Sequence, residues 1–195
     1  MKSFRFLLFL AAALLATVPS VFAQSAAENA RMAEIRKAYS AAMDLAKKNQ
    51  AADTKNTQVF QAVQTDDNGV WNRRLEFIYD LDYFEELEVY TPELVLIRQS
   101  NNGFLQEFLY DDDGELMFVF ERSDPEDDDE TMEYRYYYDE KGAPFWKIEK
   151  RIDLKTKKTL STEQGRISES DEGWFETRVA ADLRRAFEVL NVMYD

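Results

Sequence analysis

Between residues 66 and 142 the chain uses one short device four times: Asp66-Asp67-Asn68-Gly69, Ser100-Asn101-Asn102-Gly103, Asp111-Asp112-Asp113-Gly114 and Asp139-Glu140-Lys141-Gly142. Each is an Asp or Ser, two polar residues and a Gly. That is the pattern of a type I turn closed by a glycine in the left-handed region, a three-residue hairpin loop with a bulge. Such a loop pairs the residue before it with the residue after it, so registers can be written and tested against the apolar pattern. The fourth turn sets Asp139 opposite Ala143, Tyr136 opposite Trp146 and Tyr134 opposite Ile148. The third sets Tyr110 opposite Leu116 and Phe108 opposite Phe118, and the second Leu96 opposite Phe108 and Leu94 opposite Tyr110. Apart from the closing pair Asp139 and Ala143, all these positions are even-numbered, so one sheet face is expected to carry the large residues of strands near 94–99, 104–110, 115–122, 132–138 and 144–152. The first hairpin runs on odd numbers, Val59 opposite Phe77 and Thr65 opposite Trp71, and the change of parity must be absorbed between Tyr79 and Thr91-Pro92, where a further strand near 86–90 has room.

Helices flank this stretch. From Ser25 to about Asn49, Met32, Ile35, Tyr39, Ala42, Met43 and Ala46 recur at helical spacing behind Ser25-Ala26-Ala27-Glu28, which has the form of a capping box. Near the C-terminus Phe175, Val179, Leu183, Ala186, Phe187, Leu190 and Tyr194 form a second stripe, with Ser170 and Asp171 available as caps. The predicted fold is α+β: an antiparallel β-meander of about six to eight strands with an N-terminal and a C-terminal α-helix packed on it.

Residues 1–23 carry the marks of a cleavable secretory signal. Lys2 and Arg5 precede an apolar run from Phe6 to Val18, and Val21-Phe22-Ala23 supplies a small-residue cleavage site. The apolar run falls short of the roughly 20 residues of a membrane span. Cleavage after Ala23 is expected, giving an exported periplasmic or secreted product that is not inserted in a membrane and is not acylated at a cysteine. Of the 195 residues 172 then remain, a single domain over 24–195, with 22 basic side chains against 38 acidic ones and a net charge of −16. Such a surface repels nucleic-acid phosphates and anionic membranes and favours cationic or neutral partners.

The chain has no Cys and no His. Disulfides are excluded, so fourteen Phe, ten Tyr and three Trp must supply the core. Ser-His-Asp and Cys-His nucleophiles are excluded as well, and both usual zinc ligands are missing. No cofactor or metal is expected.

The segment Tyr110-Asp111-Asp112-Asp113-Gly114 runs parallel to Tyr138-Asp139-Glu140-Lys141-Gly142. These Y-D-x-x-G turns look like those of YD-repeat and MORN-type β-sheet proteins. From its signal segment through its Tyr-rich hairpins the chain resembles the small exported proteins of unknown function common in Bacteroidetes, a resemblance that implies no activity and transfers no residues.

Three features are candidates for chemistry. The acidic run Ser123-Asp124-Pro125-Glu126-Asp127-Asp128-Asp129-Glu130 lacks the alternating spacing that turns carboxylates onto one Ca²⁺, and it reads as a solvated loop. Glu107, Glu133 and Glu149 lie on the parity opposite the aromatic positions, as a row of carboxylates on a solvated face or, in the catalytic reading, a pair for glycan hydrolysis. On that same odd parity Leu109, Met117, Val119, Tyr137 and Phe145 form an apolar cluster, with Arg135, Lys147 and Glu121 further along. An apolar patch rimmed by charge marks an interaction surface, unless a terminal helix packs there. The five apolar residues are the candidate ligand- or partner-binding residues. The expected function is an exported non-enzymatic binding module for a protein, peptide or glycan, the alternative a carboxylate-dependent glycan hydrolase.

Overall fold

The computed structural model describes residues 24–51, 56–66, 69–84, 89–124, 129–168 and 173–192. Helix α1 (Ala26–Ala51) is followed by strands β1 (Thr57–Asp66), β2 (Gly69–Phe84), β3 (Val89–Asn101), β4 (Phe104–Tyr110), β5 (Leu116–Ser123), β6 (Glu130–Tyr138), β7 (Pro144–Asp153) and β8 (Thr159–Arg166), and by helix α2 (Gly173–Val192). The strands pair in sequence order as one antiparallel sheet, an α+β fold built on a meander. The expected signal segment 1–23 lies outside the described residues.

The third and fourth turns close as their residues dictate. The Asp111 amide donates to the Glu115 carbonyl and the Asp139 amide to the Ala143 carbonyl, each glycine amide donates back to the Asp carbonyl, and Gly114 and Gly142 have φ of 74° and 70°. Each Asp side chain also accepts two backbone amides of its own loop, which explains the Asp at the first position. The capping box at α1 is formed in both directions: the Glu28 amide donates to Ser25 Oγ and the Ser25 amide to the Glu28 carboxylate, whose pKa that bond lowers.

Register departs from the turn-based expectation. The second connection is a two-residue loop, Asn102-Gly103, so Asn101 pairs with Phe104, Leu96 with Leu109 and Ile97 with Phe108, in place of Leu96 with Phe108 and Leu94 with Tyr110. Leu94 pairs with Tyr79. In the first hairpin Asp66 pairs with Gly69, which sets Val59 opposite Glu76 and Thr65 opposite Val70; residues 67 and 68 lie outside the described residues. Past the third and fourth turns the first pairs hold, Tyr110 with Leu116 and Tyr138 with Pro144, and then one extra residue enters each strand. Met117 and Phe145 are those residues. Beyond them Leu109 pairs with Phe118, Tyr137 with Trp146 and Arg135 with Ile148, each one position from the expected partner.

Val95 in β3 and Leu160 in β8 are inserted in the same way. A bulge leaves two neighbouring side chains on one face. Met117 and Phe118 accordingly both lie under α1, as do Val95 and Leu96, and Phe145 and Trp146. Val89 and Tyr90 belong to β3, which runs through Pro92; that proline sits where β3 pairs with β2 alone, so its missing amide proton breaks no second ladder. The parity change is expected between Tyr79 and Thr91-Pro92; the bulge of β3 lies beyond that interval, at Val95, while residues 86–88 lie outside the described residues.

The shifts fill both faces of the sheet instead of one. On one face the row Ile78, Leu96, Leu109, Phe118, Tyr137, Trp146 packs against Met32, Ile35, Ala42 and Ala46 of α1. On the other, Phe77, Ile97, Phe108, Val119 and Tyr136, with Tyr79, Tyr110 and Tyr138, pack against Ala180 and Phe187 of α2. The α1 stripe is the expected one, and in α2 Val179, Leu183, Phe187 and Leu190 of the expected stripe pack on the sheet while two of its members do not. Phe175 is 56% exposed and Ala186 is exposed, whereas Glu176 and Ala180 face inward. Tyr110 donates its hydroxyl to the Ala180 carbonyl and Tyr138 to the Gly173 carbonyl, so the helix meets the sheet at its smallest residues. Ser170, Asp171 and Tyr194 lie outside the described residues. Strand β8 has no glycine turn to announce it: Lys157 adopts φ 58° in a loop fastened by Thr156, whose amide and hydroxyl both donate to the Asp153 carboxylate.

Glycine substitutions separate backbone strain from crowding. Gly142→Ala is expected to cost about 1–2 kcal/mol, the strain of a left-handed residue, with its new Cβ 3.4 Å from the Glu115 carboxylate. Gly103→Ala is expected to cost more, because its Cβ would stand 2.6 Å from the Asp124 carbonyl oxygen. Urea unfolding of the two variants side by side checks that order.

Candidate functional site

The five residues expected to form a binding surface are divided between the two cores. Leu109, Met117 and Tyr137 are buried under α1, Phe145 is partly buried against the same cluster, and Val119 is fully buried on the opposite face beside α2. The bulge at Met117 separates them, since it returns Val119 to the α2 side. As an exposed patch the cluster does not exist; the buried Tyr137 and the partly buried Phe145 each line a different pocket. The neighbours assigned to that face also part: Arg135 faces α1, while Lys147 and Glu121 lie on the α2 face.

Next to the apolar row on the α1 face runs an ionic one. Val59, Glu76, Arg98, Glu107, Phe120, Arg135 and Ile148 are successive cross-strand partners from β1 to β7. Glu107 is 2% exposed. Arg98 Nε donates to its Oε1 at 2.6 Å, and the Tyr39 hydroxyl of α1 donates to its Oε2. Arg98 also reaches Glu76 at 3.4 Å, and Arg74 binds the other oxygen of Glu76 at 2.6 Å. Burial drives the Tyr39 pKa up and the Glu107 charge drives it further, so the phenol is a permanent donor. Burial alone would lower the Arg98 pKa; the charge of Glu107 and the bonds to both carboxylates outweigh it and the net shift is upward. Tyr39 and Arg98 are thus held as donors against the two carboxylates, which suits anchoring and not proton transfer.

Where the row passes from Phe120 to Ile148, α1 and the sheet enclose an open pocket of about 430 Å³, lined by Ile35, Arg36, Tyr39, Phe118, Arg135, Tyr137, Ile148 and Lys150. Its floor is apolar, and its walls carry three cations, two phenols and no carboxylate. Arg135 lies over the Phe120 ring at 5.6 Å and pairs with Glu133 at 2.7 Å. Arg36 lies over the Tyr137 ring at 5.7 Å, its Nε 3.4 Å from the Tyr137 hydroxyl. Among the described residues neither Arg36 nor Lys150 has an ion-pair partner. The sequence reading missed Arg36, Lys150, Tyr39 and Ile148 as site residues. The available signal was Arg36 beside the α1 stripe, three residues before Tyr39; Lys150 joins it only once the true register is known.

Several polar groups of a second pocket and of the acidic candidates are engaged with one another. Between the β4–β5 and β6–β7 turns and α2 lies a pocket of about 390 Å³ holding Lys141, Arg184 and Arg185, but Glu115 and Glu188 line it too. There Arg184 donates to Glu188 at 3.0 Å and to the Gly114 carbonyl. Of the expected carboxylate row, Glu107 and Glu133 face α1 while Glu149 faces α2, again through the bulges. Glu121 and Glu176 both accept from Gln106 Nε2, at 3.1 and 2.5 Å, beneath α2. In the acidic loop, residues 125–128 lie outside the described residues; at its ends Asp124 pairs with Arg122 and Asp129 with Lys155. Burial pushes the Asp124 pKa up, but the bonds from Arg122 and Thr131 bring it below the ordinary value. Among the described residues no three Asp, Glu, His or Cys side chains are placed to hold a metal ion.

Met117→Ala measures the burial directly. The side chain is 5% exposed in the α1 core, so truncation is expected to lower stability by about 2–5 kcal/mol in urea unfolding. A change within about 0.5 kcal/mol, as for a surface residue, would contradict that placement. No family model, no curated protein and no solved structure matches the chain.

Proposed function

We propose that the chain is an exported, non-enzymatic binding module that takes an anionic ligand with an apolar body in the pocket between α1 and strands β5–β7. One observation carries this reading: in a chain with 38 acidic and 24 basic side chains, three of the basic ones surround an apolar floor, and the pocket lining contains no carboxylate. Guanidinium groups bind carboxylate or phosphate through paired donors, and an ammonium adds a point charge. Ile35, Phe118 and Ile148 offer a dry bed for a ring or an alkyl segment, which an acidic sugar or the carboxylate end of a peptide can supply. The overall negative charge does not forbid an anion, because at physiological salt charges beyond about 8 Å are largely screened and the pocket walls decide.

The glycan-hydrolase reading has a single observation in its favour, the carboxylates of Glu121 and Glu176 meeting at Gln106. It is the weaker reading: Glu176 is 6% exposed. The carboxylates with resolved pKa shifts, Glu28, Asp124 and Asp153, are all lowered, opposite to the shift of a general acid.

Calorimetric titration with 2-naphthoate, an anion on a planar apolar body, tests the proposal. Saturable one-to-one binding is expected, weakened about tenfold or more by Arg36→Gln and by Lys150→Gln, since each removes a charge-assisted contact. The exposed Lys158→Gln should leave affinity unchanged, and neutral 2-naphthalenemethanol should not bind. Absence of saturable binding, or equal affinity in all variants, would reject the reading.

A further inference from the structure

Strand β1 is the first strand of the sheet and, among the described residues, pairs with β2 alone. From Thr57 to Thr65 it carries no charge, and Val59, Phe60 and Val63 are 45%, 39% and 62% exposed. Edge strands of soluble proteins are ordinarily protected by charges, prolines or bulges, because an open row of amide and carbonyl groups invites another strand. β1 has none of these within that stretch.

Its sequence identifies the partner. Thr57-Gln58-Val59-Phe60-Gln61-Ala62-Val63-Gln64-Thr65 reads the same in both directions except that Phe60 answers to Ala62. An isologous contact requires self-complementarity, residue i meeting residue j and j meeting i about a two-fold axis. With the axis at Gln61, antiparallel pairing sets Thr57 opposite Thr65, Gln58 opposite Gln64, Val59 opposite Val63 and the large Phe60 opposite the small Ala62. Just beyond, Asn56 comes opposite Asp66, so no like charges meet.

The backbone is phased for that axis. The Tyr79 amide donates to the Asn56 carbonyl, which makes residues 56 and 79 a hydrogen-bonded pair and points the backbone groups of even-numbered β1 residues at β2. Those of Thr57, Val59, Gln61, Val63 and Thr65 therefore point to the open edge. In the register centred on Gln61 these odd residues face one another, and every outward amide and carbonyl between Thr57 and Thr65 finds a partner. We propose that β1 is a homodimerisation edge through which two copies join by antiparallel β1–β1 pairing about Gln61 into one continuous sheet.

Sedimentation velocity at high micromolar concentration tests this. The wild-type chain is expected to sediment as a dimer, and to dimerise more tightly as salt is raised, because each copy is strongly acidic, with a net charge of −14 over the full sequence and −16 over residues 24–195. Gln61→Lys and Gln61→Glu each place like charges face to face at the axis and should weaken the dimer at least tenfold, with the urea midpoint of the monomer unchanged. An equimolar mixture of the two variants should recover a dimer, since Lys then meets Glu. A monomeric wild-type chain, a Gln61→Lys variant that dimerises like wild type, or a mixture that stays monomeric would each overturn the proposal.

Discussion

The carboxylate of Glu107 is the point on which the α1 side of the molecule turns. A buried charge costs several kcal/mol unless its oxygens are engaged, and both are: one by Arg98 on the neighbouring strand, the other by Tyr39 from the helix above. The first contact belongs to the sheet and exists wherever β3 and β4 are in register. The second specifies which turn of α1 lies over β4 and how close it comes. With Tyr39 held there, its ring lies 4.9 Å from that of Phe118, and Phe118 in turn 5.1 Å from Tyr137. The pocket is the space left beside this line of rings, where α1 passes over β5, β6 and β7.

The two helices hold the sheet by different means. α2 is seated by carbonyls of its own backbone at Gly173 and Ala180, which accept phenol protons from Tyr138 and Tyr110, and by Phe187 among the rings of Phe77 and Tyr79. Burial raises the pKa of both phenols, which keeps them donors. α1 is seated by packing of its apolar stripe, by the Tyr39 phenol that reaches an ion, by Arg36 over Tyr137 and by Glu28, which pairs with Arg166 of β8. Both faces keep room at their margins, but the pocket beside α2 is lined by carboxylates as well as cations, whereas the charged groups lining the one between α1 and strands β5–β7 are cations alone.

Much of this architecture was legible from residue types. The left-handed glycines at 103, 114 and 142, the capping box at Ser25 and Glu28, the α1 stripe and most strand positions rest on local stereochemistry, which a few adjacent residues express. The faces were not legible. Leu116 through Phe120 is an unbroken apolar run, so inserting Met117 as an extra residue leaves no mark in the pattern, and Val95 and Phe145 are equally ordinary strand residues. One such residue exchanges the two faces for everything beyond it. That is why Val119 was grouped with Leu109, and why Arg135 and Lys150 were not seen to share a face. The site is hidden for the same reason, because its residues come from α1 and three strands whose relative phase two bulges decide.

The central claim is that the Tyr39–Glu107 contact holds α1 on its own face, separately from α2. Amide hydrogen exchange of Tyr39→Phe against wild type tests it most directly, since the substitution removes one hydroxyl and leaves the Arg98–Glu107 pair in place. The account predicts that amides of α1 between Met32 and Ala46 lose protection while those of α2 keep theirs, with a local loss of about 1–3 kcal/mol for an unsatisfied buried oxygen. Unchanged protection in α1, or an equal loss in both helices, would contradict it.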